Sequence, residues 1–120
     1  YSRFELSAPR LSSPTMKVDG SVQVTVDVHN TSERAGDETV QLYVRDRVSS
    51  VTRPVKELKA FERITLAAGE RRSVTFTLPA QALRLWDARM QRVVEPGEFD
   101  VMTGPNSVQL QSVLLTVTPA

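Results

Sequence analysis

The stretch "VQVTVDVHNTSERAGDETVQLYV", Val22–Val44, decides how this chain folds. Val22, Val24, Val26 and Val28 alternate with Gln23, Thr25, Asp27 and His29, and Val40, Leu42 and Val44 alternate with Gln41, Tyr43 and Arg45. Successive side chains of a strand point to opposite faces, so each run predicts a strand with one apolar and one wet face. Between the runs lie Asn30, Ser32, Glu33, Asp37 and Glu38, just after the sole histidine of the chain, His29. This polar knot reads as a connection between two strands that pair or neighbour each other. His29 points outward at the strand end, Asn30 to Ser32 turn, and Gly36 permits the reversal.

The same alternation recurs along the chain. Val74, Phe76 and Leu78 end at Pro79, which has no N–H to donate to a ladder. Phe99 and Val101 alternate with Glu98 and Asp100, and Val113, Leu115 and Val117 with Ser112, Leu114 and Thr116. Phe4 and Leu6 predict a short first strand, and Leu58 to Leu66 another. Ser7 to Thr15 reads as an extended connection. Around Gln81 to Leu83 a single helical turn is expected, and no long amphipathic helix. The glycines fall between or at the ends of the runs. The pattern predicts an all-β protein, an antiparallel β-sandwich of about seven strands of the immunoglobulin or fibronectin type III kind, without the Cys…Trp…Cys spacing of antibody domains.

The chain has 120 residues, the size of one domain. A chain of this length buries roughly two thirds of its unfolded surface and needs no staple. It has no cysteine, which rules out a disulfide framework and thiolate metal sites and leaves the compartment open, with periplasmic or secreted favoured over cytoplasmic. Fifteen basic residues against 14 acidic ones give no electrostatic footprint for nucleic acid or an acidic membrane. No apolar run is long enough to span a bilayer as a helix. The first residue is Tyr1 rather than Met, so the chain reads as trimmed or processed.

Chemistry finds little footing in these residues. A nitrogen or sulfur metal site at His29 lacks further His or Cys ligands, and Asp37 and Glu38 lack the spacing of a calcium loop. Asn30-Thr31-Ser32 matches the N-glycosylation acceptor pattern, but an Asn bracing the turn through its side chain is the better reading. "EPGEFD" supplies Glu95, Glu98 and Asp100, and Asp87 follows Trp86, the only tryptophan. Glycoside chemistry needs two carboxylates held across a bond. Here Glu98 and Asp100 share the face opposite Phe99 and Val101, which is expected to be solvent. No nucleophile elbow, catalytic Cys–His arrangement or phosphate-cradling loop occurs. No catalytic, cofactor or metal residue is therefore assigned.

Five phrases, in order, carry a resemblance: "YSRFELS" (Tyr1–Ser7), "VTVDVHNTSERAGDETVQLYVRD" (Val24–Asp46), "RPVKELKAFERITLAAGE" (Arg53–Glu70), "VTFTL" (Val74–Leu78) and "EPGEFDVMTGPNS" (Glu95–Ser107). Together they resemble the C-terminal fibronectin type III-like domain of glycoside hydrolase family three, the β-glucosidases and β-xylosidases. The resemblance implies that residues 1–120 are one such domain, with 1–20 a lead-in strand and linker from a preceding domain. It also implies that the catalytic acids lie in preceding domains of a parent chain, which are then this domain's partners. Arg53, Lys56, Glu57 and Phe61 are its candidates for contact with those domains; alternatively Leu58 and Phe61 are ordinary core and the charges a solvated face. Two rival functions stand beside the accessory domain: a carbohydrate-binding module using Trp86 and Tyr43 against sugar faces, and a spacer or adhesion domain unrelated to glycosidases.

Overall fold

A computed structural model describes residues 3–46, 56–83, 85–86, 92–93 and 96–119. Among these, eleven strands run in chain order: β1 (Phe4–Leu6), β2 (Arg10–Leu11), β3 (Thr15–Lys17), β4 (Ser21–Asn30), β5 (Gly36–Asp46), β6 (Glu57–Leu66), β7 (Arg71–Pro79), β8 (Leu85–Trp86), β9 (Arg92–Val93), β10 (Gly97–Gly104) and β11 (Gln111–Thr118). All seven strands expected from the sequence are present. The four additional ones, β2, β3, β8 and β9, are only two or three residues long, too short for a period to show. A single 3-10 turn, Ala80–Leu83, follows β7 where one helical turn was expected.

The long strands form two sheets. In the first, β4 is central, with β7 along one edge and β1 and β2 in succession along the other. The second has the order β3-β11-β10-β5-β6. A separate hairpin pairs β8 with β9. The inward faces meet in one core. Val22, Val24, Val26 and Val28 of β4 and Val74, Phe76 and Leu78 of β7 face Val40, Leu42 and Val44 of β5, Phe99 and Val101 of β10, and Leu115 and Val117 of β11. Each such side chain stabilises by roughly 1.5–3 kcal/mol when buried, which is why the period-two pattern sets the faces so firmly.

Two sequence expectations are corrected here. β4 and β5 do not pair; they belong to different sheets, and residues 31–35 cross from one to the other. Alternation fixes which face of a strand is apolar, and two such faces satisfy it equally by lying side by side or by stacking. The sandwich is also not wholly antiparallel, because β3 runs parallel to β11, Thr15–Lys17 beside Thr116–Thr118. The segment read as an extended connection makes this possible. Ser12 still bonds to the first sheet through Gln23, while the Pro14 carbonyl already accepts from Thr116 N at 3.0 Å in the second. Pro9 and Pro14 cannot donate to a ladder, so they break the segment into short pieces that divide between the sheets.

The crossover after β4 turns on Asn30, which is 0% exposed. Its Nδ2 donates to Arg34 O at 2.8 Å and to Leu66 O, at the end of β6 in the opposite sheet, at 3.2 Å. Its Oδ1 accepts from Ser32 N at 3.0 Å and Ser32 Oγ at 2.6 Å. The Asn30 main chain holds the neighbouring crossover from β6 to β7, donating to Glu70 O and accepting from Gly69 N. Gly69 sits at φ 76, a left-handed conformation that glycine takes without a Cβ penalty. Asn30 is thus the turn brace of the sequence reading, and it spends both amide hydrogens inside the fold rather than offering them to a glycan.

Close approach also constrains the loop after β10. A Cβ on Gly104 would collide with the carbonyl oxygen of Gln109, where the loop folds back. Asn106 Oδ1 accepts from Val108 N and Gln109 N at 2.9 and 2.8 Å and keeps that loop closed.

Two substitutions test these devices. Asn30→Asp sets an oxygen against two carbonyls and is expected to lower the unfolding free energy by about 3 kcal/mol, read from urea denaturation. Gly104→Ala is expected to cost roughly 1–3 kcal/mol in the same assay, through overpacking rather than lost bonding.

Candidate functional site

The first sheet carries its polar groups on the outer face, in cross-strand rows. Glu5, His29 and Arg71 lie side by side on β1, β4 and β7. The next row holds Asp27 beside Ser73, with Ser7 Oγ accepting from Asp27 N at 2.9 Å. These residues line an open groove. His29 is half-buried and points outward from the penultimate position of β4, as the alternation predicts. Among the described residues, no three His, Cys, Asp or Glu gather closely enough to hold a metal ion.

The carboxylates are engaged by their own neighbours. Asp27 accepts from Arg10 Nη1 and Nη2 at 2.7 and 3.2 Å and from Ser73 Oγ at 2.7 Å; these bonds, Arg10's first, hold it below the ordinary aspartate range. Asp37 is lowered by hydrogen bonds from Thr65 at 2.6 Å and then Arg63 at 2.8 Å. Glu70 is lowered by the backbone N–H of Ala67, at 2.8 Å, and then by Arg72. Groups held this way stay ionised and have no proton to give as general acids near neutrality.

Asp100 departs from expectation. It is 5% exposed rather than solvated, and Arg45 Nη2 and Nε donate to its Oδ2 at 2.8 and 3.2 Å. The reason is position: β10 is the middle strand of five, and Asp100 is flanked by Arg45 on β5 and Leu114 on β11. Met102, two residues on, is buried on the same face. "FDVM" is apolar at both parities, and that was the available signal for a strand covered on both sides. Glu98 is exposed as expected, while Glu95 and Asp87 lie outside the described residues.

The outer face of the five-stranded sheet gathers most of the residues singled out from the sequence. Phe61 and Leu58 on β6 are exposed, Phe61 to 67%, so neither is core. Phe61 lies beside Gln41, and Leu58 beside Tyr43 across an irregularity in the β5–β6 register. Tyr43 is half-buried. Its hydroxyl donates to Gln41 Oε1 at 2.8 Å, and the Lys56 ammonium stands 5.7 Å from its ring centre. Lys56 Nζ also donates to Ser107 O, tying the strand entry to the β10–β11 loop. Glu57 accepts from Lys59 at 3.1 Å. Trp86 belongs to the β8–β9 hairpin, its backbone beside Arg92, and its side chain lies outside the described residues, as does Arg53. Tyr43 and Trp86 therefore stand in different sheets.

Acid sensitivity follows from the three depressed carboxylates. A group whose folded pKa is lowered binds fewer protons folded than unfolded, so its contribution is whole above the unfolded value, about pH 4, and is lost as pH falls through the folded value. Urea midpoints measured from about pH 5 downward should decline below about pH 4, and Asp27→Asn should flatten that decline.

Comparison with known proteins places this geometry. The family model described as "Fibronectin type III-like domain" matches residues 38–107, more than half of the chain. The "Periplasmic beta-glucosidase" of Salmonella typhimurium is 44% identical over 111 residues, which is 92% of this chain and 14% of that protein. A "Beta-xylosidase" of Formosa agariphila is 41% identical over 119 residues, 98% of this chain and 16% of that protein. Among solved structures, a β-glucosidase from Listeria innocua in complex with gluconolactone superposes with TM-score 0.91 at 38% identity, over 98% of this chain and 16% of that one. The GH3 β-glucosidase of Bifidobacterium adolescentis gives 0.86 at 32%, over 98% and 17%. This chain spans about a sixth or less of each of these proteins. It belongs to the fibronectin type III-like domain family, the kind of domain that makes up one segment of these much longer glycosidases.

Proposed function

We propose that this domain is the noncatalytic accessory part of a β-glucosidase or β-xylosidase of glycoside hydrolase family three, stabilising the parent by packing against its catalytic domains. One observation carries the proposal: 92–98% of this chain aligns at 41–44% identity to relatives of which it makes up only 14–16%. A unit kept whole inside much longer enzymes acts as a part of them. This weighs against a spacer or adhesion domain unrelated to glycosidases. The local chemistry agrees, since glycoside hydrolysis needs a protonated and an ionised carboxyl facing each other across a bond. Asp27, Asp37, Glu70 and Asp100 are each bound instead to hydroxyls, arginines or backbone N–H groups.

In this reading residues 1–20 lead in from a preceding domain and also enter both sheets through β1 to β3. Lys56, Glu57 and Phe61, with Arg53, contribute to the contact with the catalytic part. A periplasmic or secreted parent is the matching location, in keeping with the periplasmic relative from Salmonella.

The chain on its own is expected to give no turnover of chromogenic β-glucosides or β-xylosides, whereas the parent gives turnover that falls, along with its thermal midpoint, when this domain is deleted. Hydrolysis by the chain alone that disappears in Glu98→Gln or Asp100→Asn would overturn the reading.

A further inference from the structure

We infer that the outer face of the five-stranded sheet, with Phe61, Leu58 and Leu114 as its apolar contacts, is the surface on which the rest of the parent chain packs, and that it receives an apolar surface. The inference rests on the accessory-domain reading and adds to it which side of the sandwich is covered and by what chemistry. The two outer faces differ sharply. Among the described residues the exposed large apolar side chains are Leu58, Phe61, Val108 and Leu114. Three of them lie on this one face, and Val108 stands in the β10–β11 loop at its border. The outer face of the first sheet presents Gln23, Thr25, Asp27, Thr75 and Thr77 in the corresponding rows and shows no large apolar residue. Exposed large apolar side chains spread from β6 to β11 on one outer face, against none on the other, mark that face as the interaction surface.

The partner's character follows from the charges. Arg45 is matched by Asp100 at 2.8 Å and Arg63 by Asp37 at 2.8 Å, both pairs on this face, and Lys59 by Glu57 at its edge. These three pairs ask for no countercharge from a partner, and an exposed Phe and two Leu gain by leaving water; Glu98 and Lys17, exposed on the same face, are charges outside these pairs that a partner has to leave in water or meet. The face is also pre-set. Lys56 spans from Tyr43 to Ser107, and Asn106 closes the adjoining loop, so little ordering is lost on docking. The occupant is the parent's own chain, because most of the length of each matched relative lies outside this segment and is covalently held beside it.

Hydroxyl-radical footprinting of the full parent protein tests this directly. Phe61 and Leu114 are expected to be modified at least tenfold more slowly in the native parent than in the parent unfolded in guanidinium. Reaction within a factor of two of the unfolded rate would overturn the inference, since the domain alone leaves Phe61 open. Protection that vanishes on dilution would assign the face to a second copy and overturn it equally. As a second arm, Phe61→Arg with Leu114→Arg should lower the parent's thermal midpoint by several degrees, while Gln23→Arg with Thr77→Arg should not; equal effects would count against it. Footprinting reads the face without reference to glycosidase activity, so a parent inactive on β-glycosides yet protected at Phe61 would sink the proposed function and leave this inference standing.

Discussion

The side-chain amide of Asn30 holds the two sheets in their relation to each other. Both its hydrogens go to main-chain carbonyls, one in its own crossover and one at the end of β6 across the sandwich, and its oxygen takes Ser32 twice. Removing such a group would take a donor from the buried Leu66 carbonyl and leave the crossover to Ser32 alone, which costs more than the bonds themselves contribute. No hydrophobic residue could replace it, because what has to be satisfied at that corner is main-chain polarity left over when the strand leaves its ladder. The apolar faces supply the larger energy, but they do not fix where one sheet stops and the other begins; this amide does.

That division of labour explains what the sequence disclosed. The period of two made β4, β5, β7, β10 and β11 and their inward faces readable, because burying a valine or leucine is worth enough to enforce the alternation; β6 showed only its apolar content, and its register break hid that Leu58 and Phe61 both face out. It left open which strands pair. β4 and β5 have complementary apolar faces, and the reading that joined them as neighbours is physically sound until Asn30 and Leu66 are seen to meet. The parallel β3–β11 contact was hidden for a different reason. Two or three residues carry no period, and the two prolines that position them read as linker. Asp100 was misplaced because alternation assumes that an outward face is a wet one. On a middle strand, neighbours as long as arginine and leucine cover the residue between them.

Electrostatics here serves the fold more than chemistry. Asp27, Asp37 and Glu70 are lowered by donors from within one or two strands, and Asp100 is sheltered by Arg45. Asp27, Asp37 and Glu70 are kept ionised near neutrality by these donors, and each of the four carboxylates is held in place by its hydrogen bonds. Acid–base catalysis on a sugar needs a group poised between states and facing a cleft. The lone histidine does not change this, since it stands in a row with Glu5 and Arg71 on the polar side of the molecule, away from the apolar face.

The contrast between the two outer faces then bears on how such a domain can serve a larger enzyme. A sandwich needs only its interior to fold, and solubility alone would favour polar residues on both outer surfaces. The first sheet follows that rule row by row. The second keeps a phenylalanine and two leucines outside, and it pairs its own charges beside them. An edge strand such as β6 would ordinarily protect itself with charge and irregular register, and it does so with Lys59, Glu62, Arg63 and the break opposite Leu42/Tyr43. Phe61 sits among these protective features and serves none of them. A side chain exposed against both solubility and edge protection suits the docking face inferred above, and the polar face opposite has no large apolar residue for such a contact to use.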